Sequence, residues 1–198
     1  MNTGTTPCLT SWQNYYGVAS MTTRRIALDI ETLGTQETSV VLTIGAVNID
    51  NPDEQLEIAL SVEDQIALGC TMDWPTIQFW FNQSNETRAA LFEKRPVPVT
   101  SGLSLLSRFC THDARSIPAS QIEVWSYGNM DAKILEHLNS LATGGRPLIG
   151  YRDWCDGRTL ARITGLRLPT PSIPHHALSD ALSLATLVRK ATQSINAK

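Results

Sequence analysis

Ile26-Ala27-Leu28-Asp29-Ile30-Glu31-Thr32-Leu33-Gly34-Thr35 sets two acids into an otherwise apolar run. β-Branched and apolar residues run up to Asp29 and Gly34 closes the run, so it reads as a strand. Side chains alternate along a strand, which puts Asp29 and Glu31 on one face. Two carboxylates side by side on an apolar strand repel each other and resist burial. A cation has to compensate them, and oxygen-only ligands on a rigid strand suit Mg²⁺ or Mn²⁺. The plainer alternative is an edge strand ending in a turn, with both acids solvated.

Working outward, Ser39 to Asp50 is strongly β-forming, with Gly45 marking a bulge or a close packing contact. Asn51-Pro52-Asp53 is a turn, and Gln55 to Val62 alternates as a third strand. Short joins between the three predict an antiparallel meander. The pattern then turns helical. Asp73 caps a helix with Pro75 in its first turn and Ile77, Trp80 and Phe81 at helical spacing. A second helix runs from Ser84 to Glu93, with Ala90 and Leu91 inward, and a third from Thr100 to Cys110, with Leu103, Leu106 and Cys110 on one stripe. Ile117-Pro118 makes a linker turn.

Ile122 to Ser126 is a short central strand, and Gly128-Asn129 leads into a helix with Ile134, Leu135 and Leu138 inward, ended by Gly144-Gly145. Pro147 to Tyr151 reads as the last strand and Arg158 to Ile163 as a helix. Pro169, Pro171 and Pro174 stiffen a loop before a final helix from about His176 to Ile195, with apolar positions Leu178, Leu182, Ala185 and Val188. This order predicts an α/β fold, a mixed five-stranded sheet with helices on both faces.

The whole chain sets wider bounds. Its 198 residues suit one domain with a real core. A composition of 42% apolar against 18% charged residues argues against wholesale disorder. The net charge of −3 argues against a broad basic surface that coats duplex DNA, but not against a nuclease, whose site is acidic. Cys8, Cys70, Cys110 and Cys155 form no CxxC pair, so reduced thiols in a cytoplasmic protein are expected. No apolar run is long enough to span a membrane. Residues 1–23 carry Trp12, Tyr15 and Tyr16 without a period and read as a mobile N-terminal extension, or as sequence ahead of a start at Met21. Residues 24–198 are the folded domain.

Two further acids sit at element ends. Asp131 follows the strand Ile122–Ser126, where α/β folds collect ligands; its bland alternative is a helix cap. Asp180 falls in the first turns of the last helix, a place that favours an acid in any case. His175 lies five residues before Asp180, so the two do not share a helix face. A histidine in the loop after Pro174 can lean over a site and take a proton from water. Four acids gathered by a fold can hold two divalent ions about 3.5–4 Å apart, suited to in-line attack on a phosphodiester.

Asp29-Ile30-Glu31-Thr32, the later Asn129-Met130-Asp131-Ala132-Lys133-Ile134-Leu135, and the closing His175-His176-Ala177-Leu178-Ser179-Asp180-Ala181 resemble the three motifs of the DEDDh 3′→5′ exonucleases, over about residues 25–190. The stretches around Gly34, Gly45 and Trp74–Leu91 are similar to the small bacterial and phage exoribonuclease-like branch, whose members also resemble exonuclease-VIII-type proteins. The resemblance implies a ribonuclease-H-like fold. It implies a metal-dependent enzyme that removes nucleotides from the 3′ end of RNA or single-stranded DNA and releases nucleoside 5′-monophosphates. By motif match, Asp29, Glu31, Asp131 and Asp180 would hold two Mg²⁺ or Mn²⁺ ions. The family spacing makes His175, rather than His176, the general base.

Thr32 and Leu33 match the position that touches the 3′-terminal nucleotide. Trp80 is a candidate for base stacking, worth about 1–3 kcal/mol, against its alternative as a core aromatic. Arg88 is a candidate phosphate contact or a solvated helix charge, and Arg24-Arg25 is too short for a nucleic-acid patch. Two departures from the family stand out. Met130 replaces the usual phenylalanine, and methionine can fill such a packing position. The segment Arg152–Leu160 resembles the branch's RDxRTL run with altered spacing, so Asp153 and Asp156 receive no catalytic role. Related small exonucleases commonly dimerise, so a homodimer is a further implication. The competing readings are a ribonuclease-H-like endonuclease and a catalytically silent nucleic-acid-binding module.

Overall fold

Alternation along the opening strand sorts the core into two layers. β1 (Arg24–Thr32) sends Ile26, Leu28 and Ile30 into one layer, and Ala27, from the other face, into the second. β1 pairs antiparallel with β2 (Val41–Asn48), and β2 pairs antiparallel with β3 (Gln55–Ala59). On its other edge β1 runs parallel to β4 (Ile122–Ser126), which is parallel to β5 (Trp154–Asp156). The result is a five-stranded mixed sheet in the order β3-β2-β1-β4-β5. The computed structural model describes residues 23–111 and 122–196, so the expectations resting on Cys8, Trp12, Tyr15, Tyr16, Met21 and Ile117-Pro118 lie outside the described residues.

The first layer is closed by α4 (Val99–Thr111) through Leu103, Leu106 and Cys110, and by α5 (Met130–Thr143) through Ile134, Leu135 and Leu138. The second is closed by α6 (Gly157–Thr164) and α7 (Ala177–Asn196), with Ala161, Ala181, Leu184 and Val188 against Ala27, Val47 and Ile49. Asp29 and Glu31 share the face of Ala27, so strand parity alone aims both acids toward α7.

Gly45 is the close packing contact. A Cβ there would stand 2.3 Å from the carbonyl carbon of Ala177 and 2.3 Å from the nitrogen of Leu178. The start of α7 therefore rests directly on β2. This tight seat explains why small residues, Ala177, Ala181 and Ala185, face the sheet, while the expected positions Leu178 and Leu182 are only half-buried.

Three sequence expectations need correction. The third strand stops at Ala59, because Ser61 accepts the Asp64 N–H at 3.1 Å and caps α1 (Val62–Ala67). Pro147 to Tyr151 is not a strand. Glu136 on α5 accepts the backbone N–H groups of Leu148 at 2.8 Å and Ile149 at 2.9 Å, donors a sheet neighbour would otherwise need. The last strand is β5, and it ends at Asp156, the cap of α6. Of the residues placed at helical spacing on α2 (Trp74–Phe81), Trp80 is buried, whereas Phe81 is 65% exposed. Asp73 caps α2 with Pro75 in its first turn, and α3 (Asn85–Phe92) lies between Ser84 and Glu93, both as expected.

Candidate active site

Parity brings Asp29 and Glu31 to the α7 side of the sheet, and the first turn of α7 brings Asp180 to them. One carboxylate oxygen from each of Asp29, Glu31 and Asp180 lies within 4.8 Å of the others. Asp131, in the first turn of α5 and 8% exposed, lines the same cleft of about 270 Å³ together with His175. The fold thus assembles all four acids and the histidine from three distant stretches of chain.

Electrostatics in the cleft are those of an unneutralised cluster. Burial, followed by the charges of Asp131, Glu31 and Asp180, holds Asp29 well above the usual carboxylate value. Glu31 is pushed up to about 8 by burial and then by Asp180 and Asp131. Burial raises Asp131 to about 7, against the opposing pull of its own backbone N–H and of Arg158. Burial also raises Asp180, with a counter-effect from the backbone N–H of His176. Oxygen-only donors that cannot all ionise beside one another fit a hard divalent cation of the Mg²⁺ or Mn²⁺ kind.

The start of α7 is held by side chains. Asp180 accepts the His176 N–H at 3.2 Å, and His176 Nδ1 accepts the Ser179 N–H at 3.3 Å, a reciprocal cap of the first turn. With Nδ1 accepting, Nε2 carries the proton, and it lies 2.8 Å from Oε1 of Glu57. That Oε1 has no other partner among the described residues, while the second oxygen of Glu57 pairs with Lys94. Glu57 on β3 sits opposite Gly45, and Gly45 opposite Asp29, so the three occupy one row across the sheet. Sequence reasoning missed Glu57, because an acid in an alternating strand reads as solvent-facing. His176 is thereby a structural residue, whereas His175, at φ 56°, turns out of the helix and exposes its ring. Its imidazole meets the Phe79 ring edge-on, with centroids 4.9 Å apart.

The expected substrate contacts are distributed unevenly. Trp80 is 4% exposed, and its Nε1–H donates to the Thr32 carbonyl at 2.8 Å. It supports the end of β1, and little of its ring is exposed. Phe79, 38% exposed, shares with Trp80 a second cleft that also takes in Glu31, Thr32, Gly34 and Met130, and its ring is the more open of the two. The Thr32 hydroxyl donates to Gly34 O at 2.6 Å, shaping the turn after the strand. Leu33 is half-buried against the core. Met130 does not fill a packing position: it is 40% exposed and lines both clefts. Arg88 is bound to Asn85 Oδ1 and the Phe81 carbonyl on the helix surface. Asp156 caps α6 and accepts the Gly128 N–H at 3.1 Å, which ties the β4–α5 turn.

This sheet order, with helices on both faces, is that of ribonuclease-H-like exonuclease folds. The chain belongs to the 3′-5′ exoribonuclease Rv2179c-like domain family, whose model matches residues 24–192. It is a 3′→5′ exonuclease, a hydrolase of phosphodiester bonds. No curated protein matches the chain.

Among solved structures, it is similar to the nuclease domain of 3′hExo, a DEDDh family member bound to rAMP, with TM-score 0.56 and 9% identity over 88% of this chain and 94% of that one. A 3′-exonuclease described in 3′-end recognition of a histone mRNA stem-loop gives TM-score 0.54 at 9% identity, over 87% of this chain and 83% of that one. E. coli ExoI in a complex with single-stranded DNA gives TM-score 0.57 at 13% identity, over 86% of this chain but 40% of that one. At such identities the likeness is one of fold.

Proposed function

We propose that this exonuclease removes single nucleotides from the 3′ end of RNA or single-stranded DNA and releases nucleoside 5′-monophosphates. In this reading Asp29, Glu31, Asp131 and Asp180 hold two Mg²⁺ or Mn²⁺ ions and His175 is the general base. The observation that carries it is the trio Asp29, Glu31 and Asp180, whose oxygens lie within 4.8 Å of one another. When bound, the ions supply a more acidic attacking water and neutralise charge at the phosphate.

The chain's own residues do the rest. His175 accepts the proton of the attacking water from a loop position whose ring is exposed and steadied edge-on by Phe79. Thr32 and Leu33 border the 3′-terminal nucleotide, and the terminal base stacks on Phe79 in the adjoining cleft. Trp80 keeps the Thr32 carbonyl in place. The family's description as an exoribonuclease supports RNA as the natural polymer. The free thiols of Cys70, Cys110 and Cys155 support a reducing compartment such as the cytoplasm. No helix among the described residues is long and apolar enough to cross a membrane.

The test uses matched 5′-labelled single-stranded RNA and DNA with Mg²⁺, Mn²⁺ or chelator. A metal-dependent ladder receding from the 3′ end, absent in Asp29→Ala and His175→Ala, is expected. Intact binding without shortening, or cleavage of a circular substrate, contradicts the reading.

A further inference from the structure

Beside the acidic cleft runs a groove of opposite sign. It has a volume of about 600 Å³ and is lined by Tyr127, Arg158, Ala161, Arg162, Gly165, Leu166, Arg167 and Leu168. Its lining includes three arginines and no carboxylate, in a chain whose net charge is −3. Tyr127 and Leu168 line the acidic cleft as well, so the two are continuous.

The arginines are free to act on a ligand. Arg24 and Arg25, by contrast, are occupied by Glu54 and Asp50. Arg158, Arg162 and Arg167 are all exposed and make no salt bridge among the described residues. Arg158 is oriented: its guanidinium lies 5.2 Å from the centroid of the Tyr127 ring and donates to the Tyr127 carbonyl at 3.2 Å. Arg162 follows one helical turn later, on the same side of α6. Arg167 follows the left-handed turn at Gly165, φ 71°, which ends α6. The charge of Arg158 is also felt at Asp131, so groove and cleft are electrostatically joined.

We infer that this groove is a track for the phosphodiester backbone of single-stranded nucleic acid, holding the nucleotides upstream of the linkage that is cut. The inference rests on the proposed function, and it supplies what the acidic cleft lacks. Four carboxylates repel a polyanion, and the arginines one step away provide the compensating attraction. The guanidinium fork suits phosphate oxygens in pairs, and a row of cations suits a polymer better than a single phosphate. Tyr127, half-buried at the junction, offers ring area to a base passing from groove to cleft.

The experiment uses the full chain in Ca²⁺ or chelator with a labelled twelve-nucleotide single strand carrying phosphorothioates at its 3′ linkages. Affinity is measured against salt for the wild type, for Arg162→Gln/Arg167→Gln, and for Lys190→Gln. Lys190 is a matched charge control about 15 Å along α7 from Asp180. The double variant is expected to bind about tenfold more weakly at low salt, with the slope of log K against log salt reduced by about 1.4. Its kcat/KM should fall further on the twelve-mer than on a dinucleotide, narrowing the preference for length. The control should match the wild type.

Unchanged affinity and salt slope in the double variant overturn the track, and so does equal loss in the control. A wild-type ladder in Mg²⁺, run in parallel, keeps the two readings separate. Arginine-dependent binding without a ladder leaves the track standing and removes the proposed function. A ladder with arginine-independent binding does the reverse.

Discussion

The two sides of the acidic cleft are built by opposite means. Asp29 and Glu31 are held on a central strand that pairs with β2 along its length and with β4 as far as Ala27, and their charges work against the fold that holds them. His175 and Asp180 stand where a helix begins, placed by the close approach of α7 to Gly45 and by the Glu57–His176–Ser179 contacts. The strand side carries its acids at an electrostatic cost, whereas the helix side is held by close packing and by its own hydrogen bonds. Function and stability should therefore separate on the first side and move together on the second.

The largest expected effect comes from Asp29→Asn. Activity should drop on the order of a thousandfold or more, because a carboxylate is lost from a unit that acts together. In chelator the same variant should unfold at a higher temperature than the wild type, since one buried, self-repelling acid is gone. Turnover assays and thermal unfolding check both halves, and a variant that is inactive but less stable breaks the comparison.

Gly45→Ala tests the helix side. The added methyl collides with backbone, so about 1–3 kcal/mol of stability should be lost. Moving Asp180 and His175 by a fraction of an ångström to 1 Å should lower kcat by up to about a hundredfold. Here stability and activity fall in the same variant, measurable by denaturant unfolding and steady-state kinetics.

Glu57→Ala should act more mildly, lowering kcat about tenfold with KM nearly constant, while Glu57→Gln, which keeps an acceptor for His176 Nε2, recovers most of it. Equal effects on kcat and KM in both variants argue against positioning through His176. The smallest effect is expected of Trp80→Phe. It leaves the Thr32 carbonyl without its donor, costing about 1–3 kcal/mol by denaturant unfolding and little in affinity for substrate. A large loss of affinity instead restores Trp80 as a stacking residue.

How much was legible in the sequence follows from the same contrast. The strand side was readable because alternation is local: Ile26, Leu28 and Ile30 against Asp29 and Glu31 define face, sheet and site in six residues. His175 and Asp180 were readable from spacing after Pro174. What escaped depends on contacts between distant residues. Glu136 diverts the backbone of Leu148 and Ile149 from a sheet it was patterned to join. Gln65 pins Val41 through both its oxygen and its nitrogen, at 2.7 and 2.8 Å, which explains a buried glutamine on a helix too short to show a period. Glu57 gains its meaning only when α7 comes to rest on Gly45. The arginine groove is invisible in sequence because its cations are divided between a helix and the loop that follows.

The central claim is that the cleft is a cluster of acids built around a cation. Glu31 has a folded value of about 8 against an ordinary 4.5, so the folded chain retains a proton that the unfolded chain releases between these values. Stability of the metal-free protein is therefore greatest below this window and falls as pH rises through it. Thermal unfolding from pH 5 to 8, in chelator and in Mn²⁺ or Mg²⁺, tests this directly. The melting temperature should decline with pH in chelator, and the stabilisation by metal should grow over the same range and shrink in Asp29→Asn. A melting temperature that rises with pH in chelator, or metal that stabilises neither protein, contradicts the account.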